Sequence, residues 1–226
     1  ARQAVLPDGT KVTIPAETDG REVFADWLVS PANEYFARNI ANRVWSWLLG
    51  RGIIHEPDDI RPDNPPSNPE LLKLLQKHLV ASKWDIKALM RLILNSRTYQ
   101  LSSIPASSNP KAAELFAYYP LRRLEAEVLV DALCQITGTG ERYMSETPEP
   151  FSYIPPSQRT IDLADGSVTS PFLEMFGRPS RDTGLESERS NRPTPAQRLH
   201  VLYSSHILNK LKSEKFQSLL YANKSD

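Results

Sequence analysis

The sequence predicts a mainly α-helical fold, organised as a single irregular helical domain with long loop segments and at most a small β element. Apolar residues recur at steps of three and four in several segments, which is the period of a helix with one buried face. Capping residues precede these segments, and proline-rich stretches separate them. The apolar content of 40% is enough to build a core.

The N-terminal part of the chain differs from the rest. Residues 1–20 predict an extended arm or a small hairpin that turns at Asp8-Gly9. Residues 21–226 are then predicted to form the helical domain. A short helix containing Phe24 and Trp27 opens it, because these two side chains share one helical face.

The first long helix is predicted from Tyr35 to Leu49. Gly50 ends it, since glycine takes the left-handed conformation of a C-cap at no steric cost. Ser67 is predicted to cap the next helix through a capping box with Glu70. Asp85 is the expected cap of the helix after that.

The second half of the chain is less regular. A helix is predicted from Arg122 to Ile136, with Arg123, Glu127 and Asp131 stacked along one side as a solvated ion-pair ladder. Residues 138–195 are rich in Pro, Ser, Thr and Gly and are predicted to wrap irregularly over the core, with a short strand near 160–163. Residues 195–219 are predicted to return to the core as a final helix.

The bulk properties exclude several classes of function. A formal net charge of zero argues against a nucleic-acid-binding surface. The single cysteine, Cys134, excludes an internal disulfide framework and any multi-cysteine zinc site. No apolar run is long enough to span a bilayer, and no signal peptide is visible in a chain that starts at Ala1.

Charged and amide side chains interrupt the predicted core in two places. The candidate ligand-binding residues are Arg38, Asn42, Arg43, Asp58, Asp59, Arg61 and Asn64 in the first half, and Arg178, Arg181, Glu188 and Arg189 in the second. Arginine recognises carboxylates through two parallel hydrogen bonds, whether the carboxylate belongs to the protein or to a ligand. An internal network that fixes the fold is the favoured interpretation, and a cleft for an acidic ligand or a carbohydrate is the alternative.

Other chemistries have weaker support. The loop with His55, Glu56 and Asp63 offers oxygen ligands for calcium, but its spacing does not match an EF-hand, so no metal or other cofactor is expected. His200 and His206 lie six residues apart on one predicted helix, hence on opposite faces. No catalytic residue is assigned. Trp45 shares the helix face of Arg38 and Asn42 and is a candidate for stacking a sugar.

Six segments carry a resemblance to a known family. They are FARNIANRVWSWLLGRGII, EPDDIRPDNPPSNPELL, DIKALMRLILNSRTYQLSS, YYPLRRLEAEVLVDAL, FLEMFGRPSRD and ESERSNRPTPAQRLHVL. In this order they resemble the planctomycete-specific domain found near the C-terminus of large bacterial proteins, which often also carry a cytochrome c-like segment. Many members have a Cys-x-Cys pair just before the Glu-Arg of the last segment, whereas this chain has Leu185 and Ser187 or their neighbours at those positions and no thiol.

The resemblance implies a setting rather than a reaction. It implies a domain of unknown function in an exported, periplasmic or cell-surface protein, with other domains of the parent protein as partners. The best functional prediction from the sequence is therefore a structural or interaction module. A carbohydrate- or acidic-ligand-binding or hydrolytic domain that uses an Arg/Asp/Asn cleft is the competing hypothesis.

Overall fold

The computed structural model describes residues 1–143, 154–155, 157–163, 168–179, 188–190 and 192–222. These residues are mainly α-helical with one small two-stranded sheet, which confirms the predicted fold class. The chain divides into two compact units, Ala1–Leu121 and Arg122–Asp226. That residues 21–226 make one domain stays a prediction.

The first unit consists of a hairpin and four helices. Strand β1 (Arg2–Val5) pairs antiparallel with β2 (Lys11–Ile14). Gly9 has a φ of 85°, the left-handed geometry that the turn at Asp8-Gly9 requires. The helices that follow are α1 (Gly20–Val29), α2 (Glu34–Leu49), α3 (Pro69–Ala81) and α4 (Ile86–Leu94).

Helix α2 lies at the centre of the first unit. Asn33 caps its N-terminus by accepting a hydrogen bond from the Tyr35 amide (3.0 Å), and Gly50 caps its C-terminus with a φ of 77°. Its buried face packs against α3, α4 and the loop after Gly50. The core side chains are Ala41, Val44, Trp45, Leu49, Ile53, Ile54, Leu72, Leu75, Leu79, Leu89, Ile93 and Phe116.

The second unit is built around helix α5 (Ala126–Thr137). It continues with a 3₁₀ turn (Thr160–Asp162) and helices α6 (Pro171–Met175), α7 (Pro195–Tyr203), α8 (Ser205–Leu211) and α9 (Glu214–Ala222). Its core consists of Ala126, Val130, Phe172, Leu173, Phe176 and Ile207.

Two boundaries in this unit differ from the prediction. Helix α5 begins at Ala126 rather than Arg122, and the expected strand at 160–163 is a 3₁₀ turn. The side chain of Asp131 explains the second difference. Its carboxylate accepts hydrogen bonds from the amides of Thr160 (2.8 Å) and Ile161 (3.1 Å), which leaves neither amide for a strand partner.

The single helix predicted over 195–219 is three helices in the structure. Ser204 is extended and caps α8 by accepting from the Ile207 amide (3.2 Å). Leu199, Leu202 and Tyr203, which a continuous amphipathic helix would turn inward, are 59%, 63% and 73% exposed. The interruption at Ser204 changes which face of the segment is buried.

The N-cap of α3 is also displaced from its predicted position. Asn68, not Ser67, accepts from the Leu71 amide (3.0 Å). Ser67 instead ties the preceding loop to the core, because its hydroxyl and its amide both donate to the Ile53 carbonyl (3.1 and 2.8 Å).

Removal of the Asn68 side chain should lower stability by about 1 kcal/mol, since an amide of the first turn loses its acceptor. Urea denaturation of Asn68→Ala measures this. Ser67→Ala is the matched comparison and should lose less, because the Ser67 amide keeps its bond to Ile53. A larger loss for Ser67→Ala than for Asn68→Ala would place the cap at Ser67 after all.

Candidate functional site

Asn42 is the centre of the polar group in the first unit. Its side chain is fully buried on α2. The amide nitrogen donates to the carbonyls of Ile54 (3.0 Å) and Pro57 (3.2 Å), and the side-chain oxygen accepts from the Ile54 amide (2.9 Å). Both amide hydrogens of Asn42 are therefore used within the protein.

The same loop approaches α2 closely at Gly52. A Cβ atom at this position would overlap the Ile54 carbonyl and lie 3.1 Å from the Asn42 amide nitrogen. Only glycine leaves room for the loop to reach the Asn42 side chain. The hydrogen bonds of Asn42 thus hold the loop against α2, and Gly52 allows the close approach that these bonds require.

Ion pairs surround this buried amide. Arg43 donates to Asp58 through Nε (2.6 Å), and these side chains are 27% and 17% exposed. Arg61 pairs with Asp59 at 2.6 Å, but there the exposed fractions are 60% and 41%. The first pair is shielded from water and the second is a surface pair, which is worth little to stability.

The remaining candidates of the first unit also have partners within the chain. Arg38 pairs with Glu34 one helical turn away (2.8 Å). Asn64 donates to the carbonyls of Asp59 (2.8 Å) and His55 (3.3 Å). A groove of about 650 Å³ touches Arg38 and Glu34, but neither Asn42 nor Asp59 is among the residues that line it.

The candidates of the second unit form a separate group around Glu127. Arg178 is 5% exposed and lies 3.3 Å from the Glu127 carboxylate, while it donates to the Val168 carbonyl at 2.9 Å. Arg189 donates to both oxygens of Glu127 (2.9 and 3.1 Å) and to Glu125 (3.0 Å). This geometry is a buried carboxylate clamped by two guanidinium groups.

Two further candidates belong to the second half of the chain. Glu188 is exposed at the surface of the second unit. Arg181 lies outside the residues that the structure describes. The structure thus brings Arg178 and Arg189 together around Glu127.

The carboxylates of α5 were misassigned by the sequence interpretation. The prediction that Arg123, Glu127 and Asp131 form a solvated ladder is wrong, because Glu127 is only 8% exposed. Arg123 turns away and donates to the carbonyls of Phe176 (2.6 Å) and Ser190 (3.1 Å). The signal in the sequence was the arginine-rich segment that begins at Arg178, because an arginine that becomes buried needs a carboxylate partner.

Trp45 does not offer a stacking surface for a sugar. It is 2% exposed and meets Phe116 edge to face, with ring centroids 5.1 Å apart. The helix position that looked unusual in the sequence is a core position. Its neighbour Asn42 is the polar group that this core encloses.

The histidines of the second unit were also predicted incorrectly. Because the helix is interrupted at Ser204, His200 lies on α7 and His206 on α8. The two side chains therefore meet, with ring nitrogens 3.3 Å apart. The other nitrogen of His206 is 2.7 Å from Glu141. Lys210, which is 5% exposed, is 2.7 Å from the same carboxylate oxygen.

Burial and these contacts shift the proton affinities of the cluster. Burial against Phe172 and Phe176, together with the neighbouring His206, lowers the pKa of His200 below its ordinary value of 6.5. Burial is the largest single influence on Lys210 and lowers its pKa, but the hydrogen bonds and charges of Glu141 and Cys134 together outweigh burial and raise the pKa. Lys210 and Glu141 therefore form an ion pair at neutral pH.

The lowered pKa of His200 makes stability depend on pH. The unfolded chain binds a proton at His200 first as the pH falls below 6.5, so the free energy of unfolding decreases until the folded pKa is passed. His200→Gln should flatten part of the decrease between about pH 7 and about pH 5. Urea denaturation of both proteins across that range measures the difference, and identical slopes would contradict the prediction.

Two kinds of site are absent from the part of the chain that the structure describes. No three or more His, Cys, Asp or Glu side chains there are grouped so as to hold a metal ion. No helix in the described ranges has the length and apolar character needed to cross a membrane.

Comparison with known proteins identifies the family. The chain belongs to the family PSD1, described as "Protein of unknown function (DUF1553)", which matches residues 20–222. No curated protein and no solved structure matches the chain. The family covers nearly the whole chain and assigns no reaction to it.

Proposed function

We propose that this chain is a structural and interaction module of a longer exported bacterial protein. One observation supports the structural role above all. The buried amide of Asn42 donates both hydrogens to loop carbonyls and accepts a loop amide, so this polar centre serves the fold and not a ligand. The pairs of Arg43 with Asp58 and of Arg61 with Asp59 extend the same pattern.

The interaction role is supported by the surface of α7. Leu202 and Tyr203 lie three and four residues after Leu199, and all three are more than half exposed. A helical stripe of large apolar side chains is unusual on a surface that stays in water. We propose that other domains of the parent protein cover this stripe. The exported setting and the cytochrome c-like neighbour enter the proposal through the family resemblance.

A footprinting comparison tests the interaction role. Hydroxyl-radical labelling of Tyr203 is measured in the isolated chain and in the full parent protein. Tyr35, which is 57% exposed in the first unit, serves as the reference for radical dose. The proposal expects strong protection of Tyr203 relative to Tyr35 in the parent protein. Equal labelling in both proteins would contradict the idea that other domains cover α7.

The competing hypothesis of an acidic-ligand or carbohydrate site predicts that such ligands raise the melting temperature. The structural proposal predicts that they do not. Citrate, glucuronate and short oligosaccharides at millimolar concentration are expected to leave the melting temperature unchanged, because Arg43 and Arg61 already pair with carboxylates of the chain. Differential scanning fluorimetry measures this, with Arg61→Ala as the control variant. A ligand-induced rise in the wild type that disappears in Arg61→Ala would favour the competing hypothesis.

A further inference from the structure

A cysteine, a lysine and a glutamate of the second unit meet in a place that neither polar network uses. The Lys210 ammonium lies 3.2 Å from the Cys134 sulfur and 2.7 Å from Oε1 of Glu141. The sulfur lies 4.0 Å from the same carboxylate oxygen. The Lys210 side chain is 6% exposed and that of Glu141 is 12% exposed, so water screens these contacts little.

A cavity of about 670 Å³ adjoins this cluster. Cys134 and Glu141 are among its lining residues, together with Asp131, Gln135, Tyr143 and Arg159. This volume is within the range of pockets that bind small molecules, about 300–1,000 Å³. The chain's single thiol therefore adjoins a space of the size of a small substrate, together with the Glu141 carboxylate. Lys210 contacts both groups but is not among the lining residues.

Other polar groups of the cavity have different assignments. Both oxygens of Asp131 accept backbone amides, from Thr160 at 2.8 Å and Ile161 at 3.1 Å, so this carboxylate holds the cavity wall. Burial raises the pKa of Tyr143 to about 12, and its hydroxyl group is hydrogen-bonded to the hydroxyl group of Thr160. Tyr143 is therefore a neutral group at ordinary pH. Glu141 is the lining carboxylate that lies within reach of the sulfur.

We propose that Cys134, Glu141 and Lys210 form a nucleophilic site that hydrolyses a small acyl compound, an amide or an ester. Glu141 is the general base for the thiol, and Lys210, which donates to the sulfur at 3.2 Å, stabilises the negative charge that develops on the sulfur as its proton leaves. His206, hydrogen-bonded to Glu141 at 2.7 Å, is a positioning residue for that carboxylate.

The steps balance without a cofactor. The Cys134 sulfur bonds to the acyl carbon while its proton passes to Glu141, and the carbonyl oxygen becomes an oxyanion. The oxyanion collapses, the bond to the amine or alcohol breaks, and Glu141 returns the proton to that leaving group. Water then attacks the thioester, giving one proton to Glu141, and the carbon–sulfur bond breaks. The acid leaves, and Cys134 regains its proton from Glu141.

The single cysteine makes the first test unambiguous. The folded wild-type chain, the chain in urea and free glutathione are each treated with iodoacetamide, and intact mass follows the labelling of Cys134. An activated nucleophile should react at least about tenfold faster in the folded chain than in urea or in glutathione. A folded thiol that reacts no faster than the unfolded one would overturn the proposal.

The second test asks for acyl chemistry. The chain is mixed with p-nitrophenyl acetate and quenched in acid, and the mass spectrum should show an acetyl group on Cys134 that forms rapidly and is then lost to water. Absence of this adduct would overturn the acyl role even if iodoacetamide labelling is fast.

Matched variants separate catalysis from folding. Glu141→Gln should slow acetylation by about a hundredfold, the contribution expected of a general base. Lys210→Met should do the same, whereas Lys212→Ala, at an exposed lysine two residues away, should leave the rate unchanged. Circular dichroism shows which variants are folded, and a folded Glu141→Gln protein that acetylates at the wild-type rate would overturn the assignment of the base.

Discussion

Asn42→Ala should lower the free energy of unfolding of the first unit by about 3 kcal/mol or more. The substitution removes two donors and an acceptor from a site that no water reaches, and it leaves the amide and carbonyl of Ile54 and the carbonyl of Pro57 without their partner. Each buried group left unsatisfied costs about 1–3 kcal/mol. Urea denaturation followed by tryptophan fluorescence measures the loss, because Trp45 lies in the same core.

Two control variants show whether the loss of stability in Asn42→Ala comes from its buried hydrogen bonds. Arg38→Ala removes a partly exposed ion pair from the same helix and should change stability by less than about 1 kcal/mol. Asp59→Ala should be equally mild, although the sequence interpretation placed Asp59 in a buried network, because its carboxylate is 41% exposed. A mild effect of Asn42→Ala would mean that its hydrogen bonds to the loop contribute little.

Glu127→Ala should be the most damaging substitution in the second unit, with a loss of about 3–5 kcal/mol. The carboxylate is 8% exposed and faces Arg178 and Arg189. Its removal takes the Glu127 carboxylate away from the buried Arg178 guanidinium, and deleting one partner of a buried ion pair is strongly destabilising. Circular dichroism during urea denaturation measures the loss.

Glu125→Ala is the matched control for this prediction. Glu125 also accepts a hydrogen bond from Arg189, at 3.0 Å, but its side chain is 38% exposed. Its loss should change stability by less than about 1 kcal/mol. Equal effects of Glu125→Ala and Glu127→Ala would show that burial of the Glu127 carboxylate does not decide the outcome.

The elements that could be predicted from the sequence are those with strong local signals. The helix from residue 35 to 49 follows from its apolar period and Gly50, and the structure has it one residue longer at the N-terminus. Asn42 drew attention because an amide sits among apolar helix positions. Its partners could not be predicted, since they are backbone groups of a loop, and a backbone group has no sequence signature.

The second unit shows where local reasoning fails. Glu127 fits an exposed stripe when α5 is considered alone, because its two arginines lie more than fifty residues later in the chain. His200 and His206 were separated by the assumption of a continuous helix, which the extended Ser204 interrupts. The cluster of Cys134, Glu141 and Lys210 joins three segments, so no spacing pattern could indicate it.

Hydrogen exchange at the amide of Ile54 tests most directly whether the first polar group serves the fold. This amide belongs to a loop, yet it donates to the buried Asn42 side chain at 2.9 Å. The structural account predicts that it exchanges only when the first unit unfolds, as slowly as the amides of the α2 core. Exchange as fast as that of an open surface loop would contradict the account, because the polar centre would then be accessible to water and to ligands.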